Sequence, residues 1–182
     1  KINIQRGVAK EKNILKGRTY RLTVLTERLI RLEYNENGNF IDSPTERVLY
    51  RDLETPKFDF QDSPSVLVIQ TSYFKLTYQK EKTFAGNKVS PDNNLKVELL
   101  NTDRSWYYGH PEIRNFGMPN KNLSSDKITE GKGLYSADGM ASIDDTKSLI
   151  YNPDVTIFQN PEPHIDVYLF MYNNDYEEAL KD

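Results

Sequence analysis

Hydrophobic and polar residues alternate with a two-residue period over most of the chain, a pattern typical of half-buried β-strands. Two consecutive segments, 19–25 and 30–34, show it first. Their shared apolar faces consist of Tyr20, Leu22 and Val24, followed by Ile30, Leu32 and Tyr34. The short break at Thr26-Glu27 predicts that the two segments form an antiparallel hairpin.

A second hairpin is predicted from segments 66–70 and 74–78, which are joined at Thr71-Ser72. The first of these segments is largely apolar on both faces, as in a strand buried between layers. Further strands are predicted at 48–50, 95–99, 134–135, 141–145, 148–151, 155–158 and 165–171. About ten short strands separated by turn signals predict an all-β fold, an antiparallel β-sandwich.

Two stretches break this alternation. Residues 101–133 fit no period, and we predict a long, ordered, irregular loop there. At the other end, Asn174 or Asp175 can cap a helix, and Glu178 follows Asp175 at capping-box spacing. The sequence therefore predicts a sandwich domain over residues 1–173 and a short linker helix over 174–182.

Composition excludes several classes of protein. The chain has no cysteine, which excludes disulfides and thiolate metal sites. Its 24 basic and 27 acidic residues give a net charge of −3, which argues against a nucleic-acid partner. No apolar run is long enough to span a membrane, and no signal peptide is visible. Because the chain opens on Lys1 and stops at Asp182 within a predicted helix, we expect it to be a piece of a longer protein.

Few residues offer catalytic chemistry. Asp144 and Asp145 are successive strand residues and point to opposite faces, so one is expected to be exposed and the other hydrogen-bonded. Asp138 precedes Gly139 in a predicted tight turn, where it either shapes the turn or accepts a hydrogen bond from a substrate. His110 and His164 are 54 residues apart and show no metal-binding spacing, so no metal site and no cofactor are predicted.

Aromatic residues cluster at Trp106-Tyr107-Tyr108, beside Gly109. Such rings stack on sugars, but a lone tryptophan more commonly packs in a core or an interface. Both interpretations remain open at this point.

Residues 133–146 read Gly-Leu-Tyr-Ser-Ala-Asp-Gly-Met-Ala-Ser-Ile-Asp-Asp-Thr. This stretch resembles the Gly-Leu-Leu-Ser-Arg-Asp-Gly-Trp … Asp-Asp-Ser motif in the N-terminal domain of glycoside hydrolase family 31. Three further parts of the chain are similar to that domain in the same order: 25–34 followed by 40–45, Trp106 with 115–117, and 168–170 followed by 172–180. The chain departs from the family pattern at Ala137, Met140, Pro119, Asn120 and Asn174, so a different substrate specificity is expected if these positions touch the substrate or brace the loop.

The resemblance implies a galactose mutarotase-like sandwich that precedes a (β/α)8 barrel. In that family the barrel carries two catalytic aspartates and hydrolyses α-glycosidic bonds with retention. We therefore expect no catalytic residue in this chain, which would pack on the downstream barrel of the same polypeptide. The expected contributors to the rim of the substrate pocket are Trp106, by ring stacking, and Asn115, Asp126 and Asp138, by binding hydroxyls of an α-glucoside or oligosaccharide.

Two alternatives accompany this expectation. The chain could be a free-standing carbohydrate-binding module, or an aldose-epimerase-like enzyme that uses His110 as a base. The expected location is a bacterial cytoplasm, with secretion left open.

Overall fold

The computed structural model describes residues 4–48, 50–86, 94–108, 139–151 and 157–172, with the backbone alone at 4, 5, 151, 157 and 158. Two short 3-10 helices, Ile4–Gly7 and Glu11–Asn13, open the described chain. The strands that follow are β1 (Ile14–Lys16), β2 (Tyr20–Val24), β3 (Leu29–Tyr34), β4 (Asp59–Asp62), β5 (Val66–Gln70), β6 (Phe74–Gln79), β7 (Leu95–Leu99), β8 (Ser105–Tyr107), β9 (Met140–Asp144), β10 (Leu149–Tyr151), β11 (Ile157–Gln159) and β12 (Ile165–Met171).

These strands build two five-stranded antiparallel sheets and a small third pair. The first sheet has the order β1-β2-β3-β12-β9, so it joins strands from both ends of the chain. The second sheet has the order β4-β5-β6-β7-β8, a meander of consecutive strands. Strands β10 and β11 pair with each other. Within the described residues, no helix is long and apolar enough to cross a membrane.

The main core lies between the two five-stranded sheets. Alternate residues of each strand point inward, so the periodic apolar positions meet across the sandwich. Its fully buried members include Leu22, Ile30, Leu32 and Leu169 from the first sheet and Leu67, Ile69, Leu76 and Val97 from the second. Each side chain of this kind stabilises the fold by about 1.5–3 kcal/mol through burial.

The two outward faces differ. On the second sheet, β6 alternates buried with exposed or half-buried residues, so its outer face meets solvent. The first sheet is buried on both faces at its centre, where every residue of β2 and β3 is buried. Its outer face is covered by the connection between β3 and β4, residues 35–58, together with the first 3-10 helix. This cover provides the setting for the site described below.

The structure confirms the predicted β-sandwich and both predicted hairpins. The apolar faces of β2 and β3 enter the core as the alternation predicted. Predicted strands at 95–99, 141–145, 148–151 and 165–171 correspond to β7, β9, β10 and β12 within one residue at most boundaries. The predicted strand at 155–158 overlaps β11 at two positions. Strands β1 and β4 were not predicted.

Three expectations need correction. No strand forms at positions 48 and 50, because Val48 belongs to a turn in which its carbonyl accepts the Thr45 N–H. Strand β5 is buried on one face only, with Val66 and Val68 half-buried on the outer face. Residues 105–107, predicted as loop, form β8 because Trp106 pairs with Val97 and fills the core.

The remaining expectations fall on residues outside the described ranges. They are the strand at 134–135, most of the long loop, and the linker helix at 174–182 that bounds the predicted domain.

Candidate functional site

A cluster of buried charged side chains lies on the outer face of the first sheet. We call it the ionic cluster and define it as Arg21, Glu33, Arg31, Arg51, Asp145 and Asp166. The alternation that sends Leu22 and Leu32 into the core also sends their charged neighbours to the opposite face. The strand register then aligns Arg21 with Glu33, and Glu33 with Asp166, across three adjacent strands.

Two arginines of the cluster each form a bidentate pair with a carboxylate, through two nitrogen atoms of the guanidinium. Arg21 places Nε 2.7 Å from Oε1 of Glu33 and Nη2 3.1 Å from Oε2. Arg31 places Nε 2.9 Å from Oδ1 of Asp166 and Nη2 2.7 Å from Oδ2. Arg31 Nη2 also lies 3.4 Å from Glu33 Oε2, so this cation sits between two carboxylates. Such paired, charge-assisted bonds are the strongest hydrogen bonds that side chains form.

Arg51 reaches the cluster from the covering connection. Its Nη1 donates to the carbonyl oxygens of Gly7 at 3.1 Å and Ser43 at 2.9 Å, and its Nε donates to the Tyr168 hydroxyl. Its Nη2 lies 3.7 Å from Oδ2 of Asp145, which is within ion-pair range but beyond a hydrogen bond. The fully buried Arg51 therefore fastens the covering connection and the first 3-10 helix to the sheet.

Asp145 fastens the same connection from the other side. The Thr45 hydroxyl lies 2.8 Å and 3.0 Å from its two carboxylate oxygens, and also accepts the Val48 N–H at 3.1 Å. The backbone N–H of Asp145 donates to the carbonyl of Asp166 at 2.8 Å, which ties it to β12. Thr45 thus joins the covering connection to the end of β9.

Burial and charge act in opposite directions on the carboxylates. Burial raises the pKa of Asp166, but the charge and hydrogen bonds of Arg31 outweigh it and hold the pKa below its ordinary 3.8. Burial, aided by the nearby Asp166, raises the pKa of Asp145 despite the hydrogen bond from Thr45. The fully buried Arg31 has its pKa raised well above the ordinary value, since the charges of Asp166 and Glu33 outweigh desolvation.

This arrangement serves packing rather than catalysis. Glycoside hydrolysis needs two carboxyl groups about 5–9.5 Å apart that face a shared space for the sugar. The cluster carboxylates instead face arginines beneath the covering connection. Among the residues the structure describes, no group of three His, Asp or Glu side chains is arranged to hold a metal ion.

The predicted site residues have different outcomes. Trp106 is 5% exposed and packs in the main core, which favours the packing interpretation over ring stacking. Asn115, Asp126 and Asp138, as well as His110, lie outside the described residues. Their predicted roles stay predictions.

The adjacent pair Asp144-Asp145 behaves as strand geometry predicted. Asp144 is exposed, and its Oδ1 accepts the Thr146 N–H at 3.0 Å. Asp145 is 3% exposed and hydrogen-bonded to Thr45. The two carboxylates therefore do not converge on one substrate atom.

Sequence reasoning missed the ionic cluster. The available signal was the position of Arg31, Glu33 and Asp166 inside strands of strong apolar alternation. When neighbouring strands carry charges of both signs on the same face, those charges can form buried ion pairs instead of pointing into solvent. The sequence alone did not say that residues 35–58 would cover that face.

A second feature is a surface hollow of about 410 Å³ at the end of the sandwich where β3 stops and β12 begins. Its lining includes Tyr34, Asn37, Thr83 and His164. Beside it, Asn37 and Asn39 amides donate to Oε1 of Glu162 at 2.8 Å and 3.1 Å. Amides, a phenol and an imidazole at one surface are groups that bind hydroxyls.

The hydroxyl of Thr45 provides a test of how the cover is held. Replacing Thr45 with valine keeps the shape but leaves Asp145 and the Val48 N–H each one partner short. We expect the free energy of unfolding to fall by about 1–3 kcal/mol in urea denaturation. The matched Thr77→Val change, on the half-buried outer face of β6, should stay within about 0.5 kcal/mol. Equal losses in the two variants would contradict the role of Thr45.

The amides beside Glu162 give a prediction about pH. Hydrogen bonds from Asn37 and Asn39 lower the pKa of this exposed carboxyl. Because the folded pKa is lowered, the bonds stabilise the fold above the ordinary pKa and are lost as pH falls through the folded value. In Asn37→Ala with Asn39→Ala, we expect the Glu162 pKa to rise toward 4.5 in a carbon-detected NMR titration. An unchanged titration curve would contradict the assignment.

The fold and the site together define a class: an all-β, two-sheet sandwich whose buried charges secure a covering connection. Neither a scan of family models nor a search of curated proteins finds a match to this chain.

Proposed function

We propose that the chain is the non-catalytic N-terminal domain of a retaining α-glycosidase of glycoside hydrolase family 31, with the galactose mutarotase-like form of the β-sandwich. One observation carries the proposal. Two parts of the chain that resemble this family, 25–34 with 40–45 and 133–146, are far apart in sequence, yet their ends meet through the contact between Thr45 and Asp145. Paired motifs that contact each other support the view that they belong to one domain type.

The absence of catalytic geometry in the ionic cluster agrees with this role. Hydrolysis with retention uses one carboxylate as nucleophile and another as general acid, both open to the sugar. On this proposal both belong to a (β/α)8 barrel in the same polypeptide, reached through a short helix at 174–182. The sandwich would pack on that barrel and supply part of the substrate pocket rim, within a bacterial cytoplasm.

The rim would come from the connection between β8 and β9, which carries Asn115, Asp126 and Asp138. Strand β8, which precedes this connection, is held in place by Trp106, whose ring packs in the main core. On this proposal the three polar residues bind sugar hydroxyls. Trp106 would brace the base of the connection in addition to any contact with a sugar.

The decisive experiment compares two proteins on p-nitrophenyl α-glucoside and α-xyloside. The 182-residue chain alone should show no turnover, whereas the gene product that includes the sequence after Asp182 should hydrolyse at least one substrate. Within that longer protein, Asp138→Ala should lower kcat/KM by about 10–100-fold, since a hydrogen bond to a charged group contributes about 1.5–3 kcal/mol. Asp59→Ala, on exposed β4, is the matched control.

Either of two results would reject the proposal. Turnover by the 182-residue chain alone would place a complete active site within it. A longer gene product without glycosidase activity would show that no catalytic barrel accompanies the sandwich.

A free-standing carbohydrate-binding module is the second candidate, favoured by the surface hollow that combines Tyr34 and His164 with the polar side chains Asn37 and Thr83. It predicts saturable heat on titration of the 182-residue chain with maltose or isomaltose. It also predicts that Asn37→Ala abolishes that heat. The glycosidase-domain proposal predicts negligible heat from the chain alone, so calorimetry separates the two.

A further inference from the structure

An apolar groove of about 320 Å³ remains open on the outer face of the first sheet, beyond the ionic cluster. We call it the outer groove. The buried Tyr168 lies in its floor. The other floor residues belong to the same apolar cluster and are Leu25, Leu29, Val48, Leu53, Ile143 and Phe170. Leu25 and Leu29 are buried, whereas the other four are only half-buried. The covering connection therefore seals the charged part of this face and leaves the apolar part accessible.

Two arginines stand at the rim of the outer groove. Arg6 and Arg47 both line it and both are exposed. The Arg6 guanidinium lies 4.3 Å from the ring centroid of Tyr50, a side chain that is itself 45% exposed. Stacking of this kind holds the guanidinium over the groove while its N–H groups remain free to bind an acceptor.

Neither rim arginine forms an ion pair with a carboxylate of the described residues. Several neighbouring acids have other partners: Glu46 accepts the Leu149 N–H at 3.3 Å, Asp42 pairs with Arg21, and Glu54 pairs with Lys10. In an acidic chain of net charge −3, the groove is thus a local positive site with an apolar floor.

We propose that the outer groove binds a segment of a second polypeptide in which one or two large apolar side chains are flanked by carboxylates. The volume suits one or two aliphatic or aromatic side chains. The arginine forks suit carboxylates, which they bind with two parallel hydrogen bonds. A sugar is a poor match, because the aliphatic and phenylalanine side chains of the floor offer no partners for its hydroxyls, and the Tyr168 hydroxyl beside them already accepts a hydrogen bond from Arg51. This proposal is independent of the glycosidase proposal.

A peptide suits the groove better than an anionic membrane. Binding to a lipid surface relies on clusters of basic residues, each contributing about 1 kcal/mol near the headgroups. Here two arginines flank a concave site on a protein of negative net charge, which an anionic surface would repel as a whole. A concave apolar floor with charged rims is the geometry of anchored peptide recognition.

The test uses a fluorescein-labelled peptide of sequence EDFLELDE and measures anisotropy as the 182-residue protein is titrated. We expect saturable binding with a Kd below about 1 mM, weaker at physiological than at low salt. The amide-matched peptide QNFLQLNQ should bind at least about fivefold more weakly, because it keeps the apolar side chains and loses the charges.

Variants locate the binding surface. Arg6→Glu with Arg47→Glu should weaken EDFLELDE by at least about tenfold, because both changes reverse charge at exposed positions. Lys75→Glu, on the exposed outer face of the second sheet, should leave the Kd within about twofold. Circular dichroism melts of all variants verify that the fold is retained.

Four outcomes would overturn the proposal: no saturable binding of EDFLELDE, equal binding of the amide peptide, equal weakening by Lys75→Glu, or binding of phosphatidylserine vesicles in place of the peptide. If the double variant Arg6→Glu with Arg47→Glu loses both binding and its cooperative melting transition, the single variant Arg47→Gln replaces it in the test. That single neutral change should still weaken EDFLELDE by about two- to fivefold.

Discussion

Replacing Arg31 with methionine should lower the free energy of unfolding by about 3–5 kcal/mol at neutral pH. The substitution preserves apolar volume but removes the cation that lies between Asp166 and Glu33. These two carboxylates are opposite each other on β12 and β3, and both are at least 95% buried. Without Arg31 they would face each other, with Arg21 bonded to Glu33 and Arg51 acting on Asp166 only through its charge, and uncompensated buried charge is costly.

The loss of stability in the Arg31→Met variant should also depend on pH. In the parent protein the pKa of Asp166 lies below its ordinary 3.8, so stability is lost as pH falls through the folded value. Removing Arg31 takes away the main cause that lowers this pKa, and burial then raises it. The folded variant should bind protons more readily than its unfolded state, so it gains stability as pH falls toward 3.8.

Urea denaturation at about pH 7 and about pH 4.5 measures both parts of this prediction. The difference between parent and variant should be smaller at the lower pH. Arg18→Met, whose side chain is 75% exposed, should change stability by less than about 0.5 kcal/mol. A deficit that is independent of pH, or one below about 1 kcal/mol, would contradict the balance of charges proposed for the cluster.

Replacing Arg51 with methionine should also lower the free energy of unfolding by about 3–5 kcal/mol, because several buried hydrogen-bond partners are left unsatisfied at about 1–3 kcal/mol each. Arg51 contributes mainly through hydrogen bonds to the carbonyls of Gly7 and Ser43 and to the Tyr168 hydroxyl. Its approach to Asp145, at 3.7 Å, makes no hydrogen bond. The loss should therefore reflect detachment of the covering connection more than the loss of one ion pair.

A double-mutant cycle with Asp145→Asn separates these contributions. We expect a coupling energy of no more than about 1 kcal/mol between Arg51 and Asp145, well below the cost of Arg51→Met alone. Hydrogen exchange should accelerate at the Thr45 and Asp52 amides, which are bonded within the cover, more than at amides of β6. A coupling energy that accounts for most of the loss would show that the ion pair, and not the cover, is what Arg51 supports.

The periodic part of the fold could be predicted from the sequence because alternation is a local property. Tyr20, Leu22 and Val24 are spaced for one face of a strand, and they occupy that face in the core. Strand β8 could not be found this way, since Trp106 joins the sheet through its pairing with Val97, a contact between segments. The exposed edge strand β4 has no apolar alternation at all, so only its neighbour β5 defines it.

The site was harder to predict for the same physical reason. The separation of Asp144 from Asp145 follows from strand geometry alone, and it was predicted. The partners of Asp166 and Asp145 depend on the order of strands in the sheet and on the path of residues 35–58. The alternation of apolar and polar residues carries no information about either. Arg31 and Asp166 are 135 positions apart, yet they form one of the closest ion pairs in the described structure.

The order of strands in the two sheets has a consequence for biosynthesis. The second sheet is encoded by the continuous stretch from β4 to β8, so its strands can pair as soon as residue 107 has left the ribosome. Strand β3 must wait for β12, more than 130 residues later in the chain, before its second edge is covered. A nascent chain would meanwhile expose Arg31 and Glu33 on an unfinished edge, where their charges discourage association with other chains.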